Sequence, residues 1–453
     1  MTNATTKPDL ERGTERSPTD SALWSERRSV LSNGLTVTSA RLDHLHTASV
    51  SLFVPGGPRY EASVDNGLSH LVEHGLFRGC AAYPSIQTFN EAIEASSLGL
   101  GAATCREFVV FDATCRPSGL EALLGLVGAM LAAPTWTDLA IEQRIIVEEL
   151  QDELDEAGRD IDVDNVAKLA LMPGCGGGRK IGGDISRIKR FTVEDCQRWF
   201  QACYGASNLV LAVAGPLDHA SVVAASERAL GGLAAGEPVD MPPMNMRSDL
   251  PALEYVSHGG SQTSLQVEWS LPSPAAPEWP ALVAAQRLLD DGTCARLRRR
   301  ITDDAGLAYH VGSSLEVFAD QALLVVEAEV SHDNVLAVLD AIFDTVADLA
   351  QLPPSESEWQ RLRDRYAFYI DVSMDAAHEV SYRLGLDALR GHPSGVEHRR
   401  ERFMALTPSD VTAVAEKLLG PDGAQITVVG ALGPMERAGL RRRVHRLRTA
   451  RTA

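Results

Sequence analysis

Phe191-Thr192-Val193-Glu194-Asp195, a helix-like run, and Leu209-Val210-Leu211-Ala212-Val213-Ala214-Gly215 have a counterpart near the end of the chain. There the sequence is Leu406-Thr407-Pro408-Ser409-Asp410, another helix-like run, and Ile426-Thr427-Val428-Val429-Gly430. Each Thr suits a helix N-cap with an acid three residues on, and Pro408 suits the first helical position. From the Thr to the Gly that ends the strand the distance is 23 residues in both copies (192 to 215, 407 to 430). Equal spacing near the end of each half points to an internal duplication. Between the copies, Gly231-Gly232-Leu233-Ala234-Ala235-Gly236-Glu237-Pro238 and Pro242-Pro243 lack periodicity and read as a linker. The expectation is an N-terminal domain over 27–230, a linker over 231–251, and a C-terminal domain of the same fold over 252–435.

Local patterns fit an α+β fold with two duplicated domains, each a sheet packed with helices. Ala48-Ser49-Val50-Ser51-Leu52-Phe53-Val54 alternates like a half-buried strand and stops at Pro55-Gly56-Gly57-Pro58, and Ser264 to Trp269 alternates likewise. From Leu139 to Ala157, apolar residues at 139, 141, 145, 146, 150 and 154 give a helical period with an acidic opposite face. On that helix Ile145 and Ile146 are expected to face the core.

Composition narrows the functional classes. A chain of 453 residues with 45% hydrophobic content suits two globular domains and excludes wholesale disorder. With 61 acids against 42 bases, the formal charge is −19, which argues against nucleic acid as a partner. No run approaches the ~20 apolar residues of a membrane span. Met1 to Glu26 is polar and mixed in charge, which suits a flexible leader over 1–26 and neither an export signal nor a transit peptide. Seven scattered cysteines without a C-x-x-C pair suit reduced thiols in a bacterial-type cytoplasmic protein. Residues 436–453 hold seven Arg and one His between Arg437 and Arg451 and read as a solvated basic tail.

His70-Leu71-Val72-Glu73-His74 carries the sharpest chemical signal. On a helix, residues four apart lie one turn apart on one face, so both imidazoles can meet one ion. Glu73 shares that face and can reach a metal-bound water without being a ligand. Zinc suits such a donor set and lowers the pKa of its water from 15.7 to about 7. A third ligand is offered by Ile141-Glu142-Gln143-Arg144-Ile145-Ile146-Val147-Glu148-Glu149-Leu150, where Glu142 and Glu149 are two turns apart on one face. Spacing alone does not choose between Glu148 and Glu149.

These residues and their flanks resemble the pitrilysin/insulinase family of inverted-motif zinc peptidases, the group that includes the mitochondrial processing peptidase. The likeness runs from about residue 28 to 433. It includes Gly57-Pro58-Arg59-Tyr60-Glu61 and Gly67-Leu68-Ser69-His70-Leu71-Val72-Glu73-His74-Gly75-Leu76-Phe77-Arg78-Gly79. The resemblance implies that His70 and His74 bind one Zn2+ per chain and that Glu73 is the general base. It also implies Glu149, 75 residues past His74, as the third ligand with Glu142 supporting it. The implied domains are mixed, mostly antiparallel sheets that together form half of a clamshell. In the second half, Leu288 to Leu297 and Gly306 to Val311 resemble the family's non-metal domain, and Ala284-Ala285-Gln286-Arg287 stands where the first half has its His pair.

Two departures bear on activity. The family places an Arg seven residues before a Tyr that reaches the bound peptide; here Tyr309 is present and Thr302 holds the Arg position. The family's substrate-binding edge strand usually reads Asn-Ala-x-Thr, and this chain has Gly101-Ala102-Ala103-Thr104. Main-chain pairing with an extended peptide survives that change, and the Asn contact does not. The expected protein is a zinc endopeptidase acting on extended peptides or precursor and leader segments. It is expected to be the metal-bearing subunit of a heterodimer whose related partner supplies the Arg/Tyr pair, with a homodimer as the other arrangement. The rival is a non-catalytic assembly or peptide-binding subunit. Ten acids against two Arg between Glu142 and Asp164 also suggest an acidic setting for basic peptides.

Overall fold

The computed structural model describes residues 24–391, 395–420 and 423–451. The first half runs β1 (Trp24–Val30), β2 (Thr36–Leu42), β3 (Ala48–Pro55), α1 (Leu68–Leu76), α2 (Ile86–Ser96), β4 (Leu100–Thr104) and β5 (Phe108–Cys115). It continues with α3 (Leu120–Ala132), α4 (Leu139–Gln151), α5 (Val163–Leu171), α6 (Ile185–Ile188), α7 (Val193–Cys203), β6 (Val210–Gly215) and α8 (His219–Leu230). The second half runs β7 (Ala252–Val256), β8 (Thr263–Pro272), α9 (Trp279–Asp290), β9 (Ala308–Val317), β10 (Gln321–Val330) and α10 (Val335–Gln351). After these come α11 (Glu356–Met374), α12 (Ala377–Leu389), α13 (Val396–Met404), α14 (Pro408–Leu418), β11 (Ala424–Val429) and α15 (Pro434–Arg451).

The duplication is explicit. Shifting α7 by 215 residues gives the bounds of α14, and the same shift carries β6 to within one residue of β11. The sheet orders match: β1-β2-β6-β3-β5-β4 in the first half and β7-β11-β8-β10-β9 in the second, which lacks a counterpart of β1. In each sheet one pair is parallel (β2 with β6, β11 with β7) and the rest are antiparallel. The fold is therefore α+β, two copies of one mixed, mostly antiparallel sheet with helices. Both capping boxes form, Thr192 with Asp195 and Thr407 with Asp410.

Each half lends the other a helix. α12, from the second half, lies across β3, β6 and β2, while α5, from the first, lies across β11, β8 and β7. This burial corrects the half-buried reading of the strands, because β3 is buried at all eight positions. Its polar face meets α12, where Ser51 and Ser381 share a hydrogen bond of 2.9 Å. Gly385 lets α12 approach closely, since a Cβ there would stand 2.3 Å from the Phe53 ring. In the second half the equivalent face holds a buried ammonium. Lys168 on α5 lies 2.5 Å from Glu268, 2.8 Å from Glu316 and 2.7 Å from Asp164. A second ionic bridge joins the halves where Arg59 lies 2.8 Å from Glu107 and 2.7 Å from Asp320.

Three further expectations change. The helix that begins at Leu139 ends at Gln151, and on it Ile146 is buried while Ile145 is 42% exposed. The basic segment 436–453 is no solvated tail over its described length. It belongs to α15, the counterpart of α8, and Leu440 and Val444, one turn apart, are buried against α10. Burying two such side chains contributes on the order of 1.5–3 kcal/mol each, enough to dock a helix that leaves Arg441, Arg442 and Arg446 exposed. The leader lies outside the described residues except for 24–26, which belong to β1. No helix among the described residues is long and apolar enough to cross a membrane.

Candidate metal centre

The helix that carries the His pair is fixed at its start by a buried carboxylate. Gly67, at φ 98°, precedes α1, and Glu61 accepts from Gly67 N at 2.9 Å, Ser69 N at 2.8 Å and Asn66 Nδ2 at 3.0 Å. This is side-chain capping of orphan N–H groups from outside the helix. Gly183 packs against Gly67 so tightly that a Cβ on either would clash. The apolar face of α1, with Leu68, Leu71, Val72 and Leu76, enters the core. His70, Glu73 and His74 line the other side, with Glu73 8% exposed.

The two imidazole Nε2 atoms lie 3.1 Å apart. Glu149 Oε2, on α4, lies 3.8 Å from His70 Nε2 and 3.9 Å from His74 Nε2. A tetrahedral Zn2+ with bonds of about 2.0–2.1 Å sets its ligand atoms roughly 3.3 Å apart, so these three donors fit the ion with a small contraction. Glu142 is buried beside them, and its Oε2 lies 3.0 Å from His74 Nδ1. That contact occupies Nδ1 and leaves Nε2 toward the common point. Arg78 donates to Glu142 Oε1 at 3.2 Å and to Asp138 Oδ2 at 2.8 Å. The spacing of Glu142 and Glu149 thus gives two roles on one helix, one carboxylate against a histidine's rear and one toward its front. Glu148 is outside the cluster.

Burial governs the electrostatics. His70 is pushed down to about 4, first by desolvation and then by its neighbour His74, so it stands neutral as a ligand must. Its Nδ1 is buried without a hydrogen-bond partner. Burial raises the Glu73 carboxyl, opposed by a hydrogen bond from Thr104 and by His74. The Thr104 hydroxyl donates to Glu73 Oε2 at 2.6 Å.

The edge strand stands beside this carboxylate. β4 is the outermost strand of its sheet, with Gly101 and Ala103 exposed. Ala102 and Thr104 turn to the metal side, and Gly101 and Ala103 to the other, as strand alternation requires. Tyr309 lies at the start of the other sheet's edge strand β9 and is 94% exposed. No hydrogen bond or ion pair among the described residues joins Tyr309 to the cluster. Thr302 lies in a short π-helical turn over Arg298–Asp303, where Arg300 is held 2.5 Å from Asp348.

Sequence reasoning passed over Arg78 and the Thr104–Glu73 bond. Arg78 stands four residues past His74, the helical spacing at which a partner for Glu142 could have been sought. Nothing local links Thr104 to Glu73. Part of the acid surplus between Glu142 and Asp164 is engaged within the protein. Glu153 and Asp160 hold Lys180, Asp155 holds Arg159, and Asp164 holds Lys168 and Arg106.

Residues 36–171 match the insulinase (peptidase family M16) model, and residues 190–366 match the peptidase M16 inactive domain. The chain belongs to the pitrilysin/insulinase (M16) family of peptidases. It is 26% identical over 402 residues to an uncharacterized zinc protease of Mycobacterium leprae, covering 86% of this chain and 89% of that one. It is 24% identical over 421 residues to the mitochondrial-processing peptidase subunit beta of Lentinula edodes, covering 86% and 87%. A protease from Helicobacter pylori has the same fold, with a TM-score of 0.84 at 16% identity, covering 90% of this chain and 100% of that one.

Proposed function

We propose that this chain is a zinc endopeptidase that cleaves extended peptides or precursor segments, acting as the metal-bearing subunit of a two-subunit enzyme. The observation that carries the reading is the convergence of His70, His74 and Glu149 on one point with a buried Glu73 beside it. In this reading His70 and His74 hold Zn2+ through Nε2 and Glu149 through its carboxylate. The bound ion supplies Lewis-acid chemistry that makes water a nucleophile near neutral pH. Glu73 accepts the proton of the attacking water and hands it to the leaving amine, and burial poises its carboxyl upward for that exchange. Glu142 keeps His74 in the tautomer that leaves Nε2 free. The peptide pairs with the free edge of β4, over Gly101, Ala102, Ala103 and Thr104, through main-chain hydrogen bonds.

Tyr309, exposed and away from the cluster, reaches a peptide only across a clamshell, and Thr302 leaves it without the Arg of the pair. A related partner chain supplies that pair in this reading, which agrees with the similarity to a processing-peptidase beta subunit. The protein works in the cytoplasm, where its seven free thiols stay reduced.

Metal analysis with a quenched-peptide assay tests this. One zinc per chain, cleavage, and loss of cleavage without loss of zinc in Glu73→Gln support the enzyme. A metal-free protein of normal stability that binds peptide and does not turn over identifies the non-catalytic subunit instead. Co-purification that returns a second chain with an Arg seven residues before a Tyr, and activity that rises when it is added, support the two-subunit form. Full activity from the isolated chain, unchanged in Tyr309→Phe, overturns it.

A further inference from the structure

Glu73 accepts one hydrogen bond among the described residues, from the Thr104 hydroxyl to Oε2 at 2.6 Å. That length is usual for an O–H donor on a carboxylate, a charge-assisted and therefore strong contact. No hydrogen bond among the described residues reaches Oε1. The Tyr204 hydroxyl, near enough to feel the Glu73 charge, is buried without a hydrogen-bond partner and gives the carboxylate no second hold. Thr104 stands at the anchored end of an otherwise open edge. It is the last residue of β4 and pairs with Val109 of β5, and the turn that follows is clamped. Cys105 N donates to Phe108 O at 2.8 Å. Arg106 lies 2.7 Å from Asp164 and donates to the carbonyls of Arg179 at 2.9 Å and Gly177 at 3.2 Å. Glu107 accepts from Arg59 and from Arg390, each at 2.8 Å.

We infer that Thr104 is a positioning residue for Glu73: its hydroxyl fixes the plane of the carboxylate and leaves Oε1 to take the proton. The inference rests on the proposed peptidase reading, in which Glu73 is the general base. The last torsion of a Glu side chain is broad and two-fold, so it has no strong orientation of its own. One strong hydrogen bond supplies that orientation, provided the donor cannot follow the carboxylate as it turns. Two features keep the Thr104 donor in place. Its branched Cβ restricts χ1, and the clamped turn restrains the backbone from the next residue on. Arg390 and, at 3.6 Å from Arg106, Glu316 bring the second half into that clamp. The half that lacks the histidine pair thus steadies the base of the half that has it. A reacting group misplaced by about 1 Å costs on the order of 10²-fold in rate, so the bond bears on turnover rather than on peptide affinity.

The test uses the full chain with whatever partner co-purifies and two variants of one position. Thr104→Val keeps the branched shape and removes the donor, while Thr104→Ser keeps the donor and removes the methyl. In a quenched-peptide assay Thr104→Val should lower kcat by on the order of 10–10²-fold with KM and zinc content unchanged, and Thr104→Ser should recover most of that loss. Crystal structures of the metal-free proteins give a readout independent of activity. The Glu73 carboxylate should keep one orientation in the parent and in Thr104→Ser, and should turn or take several in Thr104→Val. An unchanged kcat or an unchanged carboxylate in Thr104→Val overturns the inference and leaves the peptidase reading standing. So does a loss that falls in KM, or one that Thr104→Ser does not recover. Cleavage that persists in Glu73→Gln, or a chain that holds no zinc and turns nothing over, overturns the peptidase reading and the inference with it.

Discussion

α1 and α9 occupy the same place in two sheets of the same order, and of the two only α1 carries a candidate metal site. Shifted by 215 residues, His70, Glu73 and His74 correspond to Ala285, Leu288 and Leu289, which are 1%, 4% and 0% exposed. In the first half the helix face toward α4 is polar because Glu142 and Arg78 on one side and Glu149 on the other give it partners. In the second half the same face is core. The edges differ in the same sense. Among the described residues no side chain bonds the backbone of Gly101 to Ala103 on β4, whereas three backbone groups of β9 are occupied: Gln286 donates to Ser313 O at 2.9 Å, Ser313 N donates to Asp290 at 2.6 Å, and Arg390 donates to Val317 O. A strand whose outward N–H and C=O groups are already bonded is a poor template for an added peptide. Duplication supplied two scaffolds, and side chains opened one and closed the other.

That contrast can be broken most sharply at Glu73. Glu73→Gln should lower turnover by about 10²–10⁴-fold, the range of a lost general base, with zinc content unchanged by elemental analysis. Equal loss of zinc and activity would make Glu73 a ligand instead. Grafting the motif into the second half should fail for a physical reason. Leu289→His places an imidazole in a fully buried site, so thermal or urea unfolding should show a loss of roughly 2–5 kcal/mol with no second zinc. A stable variant that binds two ions would show that the halves are interchangeable.

Acid should act on the first half more than on its counterpart. His70 has a folded pKa of about 4, below its ordinary 6.5, so the fold favours the neutral ring. Its contribution to the stability of metal-free protein is present above pH 6.5 and is lost as pH falls from there to about 4. Urea midpoints of chelator-treated protein should fall over that window, and less so in His70→Asn. An identical fall in both proteins would assign the acid sensitivity elsewhere. Glu142→Gln should weaken zinc binding about 10–100-fold, measured by competition with a chelator, because it loosens the hold on His74. The smallest effect probes what the halves share. Thr192→Ala and Thr407→Ala each remove one capping box and should each cost about 1 kcal/mol. Unequal losses would mean that the two capped helices support their sheets differently.

Much of this protein was legible in the chain. The paired Thr-to-Gly spacing disclosed the duplication, since a capping box and a strand end are local signals. His70, Glu73 and His74 were legible for the same reason, being set by one helical turn. The strands looked half-buried because alternation reports only that one face is apolar. It took the exchange of α5 and α12 between the halves to bury Ser49, Ser51 and Glu268 on the other face. The arginine-rich C-terminal segment looked solvated for a similar reason. Two apolar residues one turn apart, Leu440 and Val444, are a weak signal until α10 stands opposite them.

The sequence by itself determined the repeat, the two histidines and the glutamate between them, because those depend on contacts within a few residues. Only the tertiary structure decided that Glu149 faces both imidazoles while Glu148 does not. It alone showed that Thr104 bonds to Glu73. Those relations join residues that are far apart along the chain, and the sheet register and the crossing of α1 with α4 fix their distances.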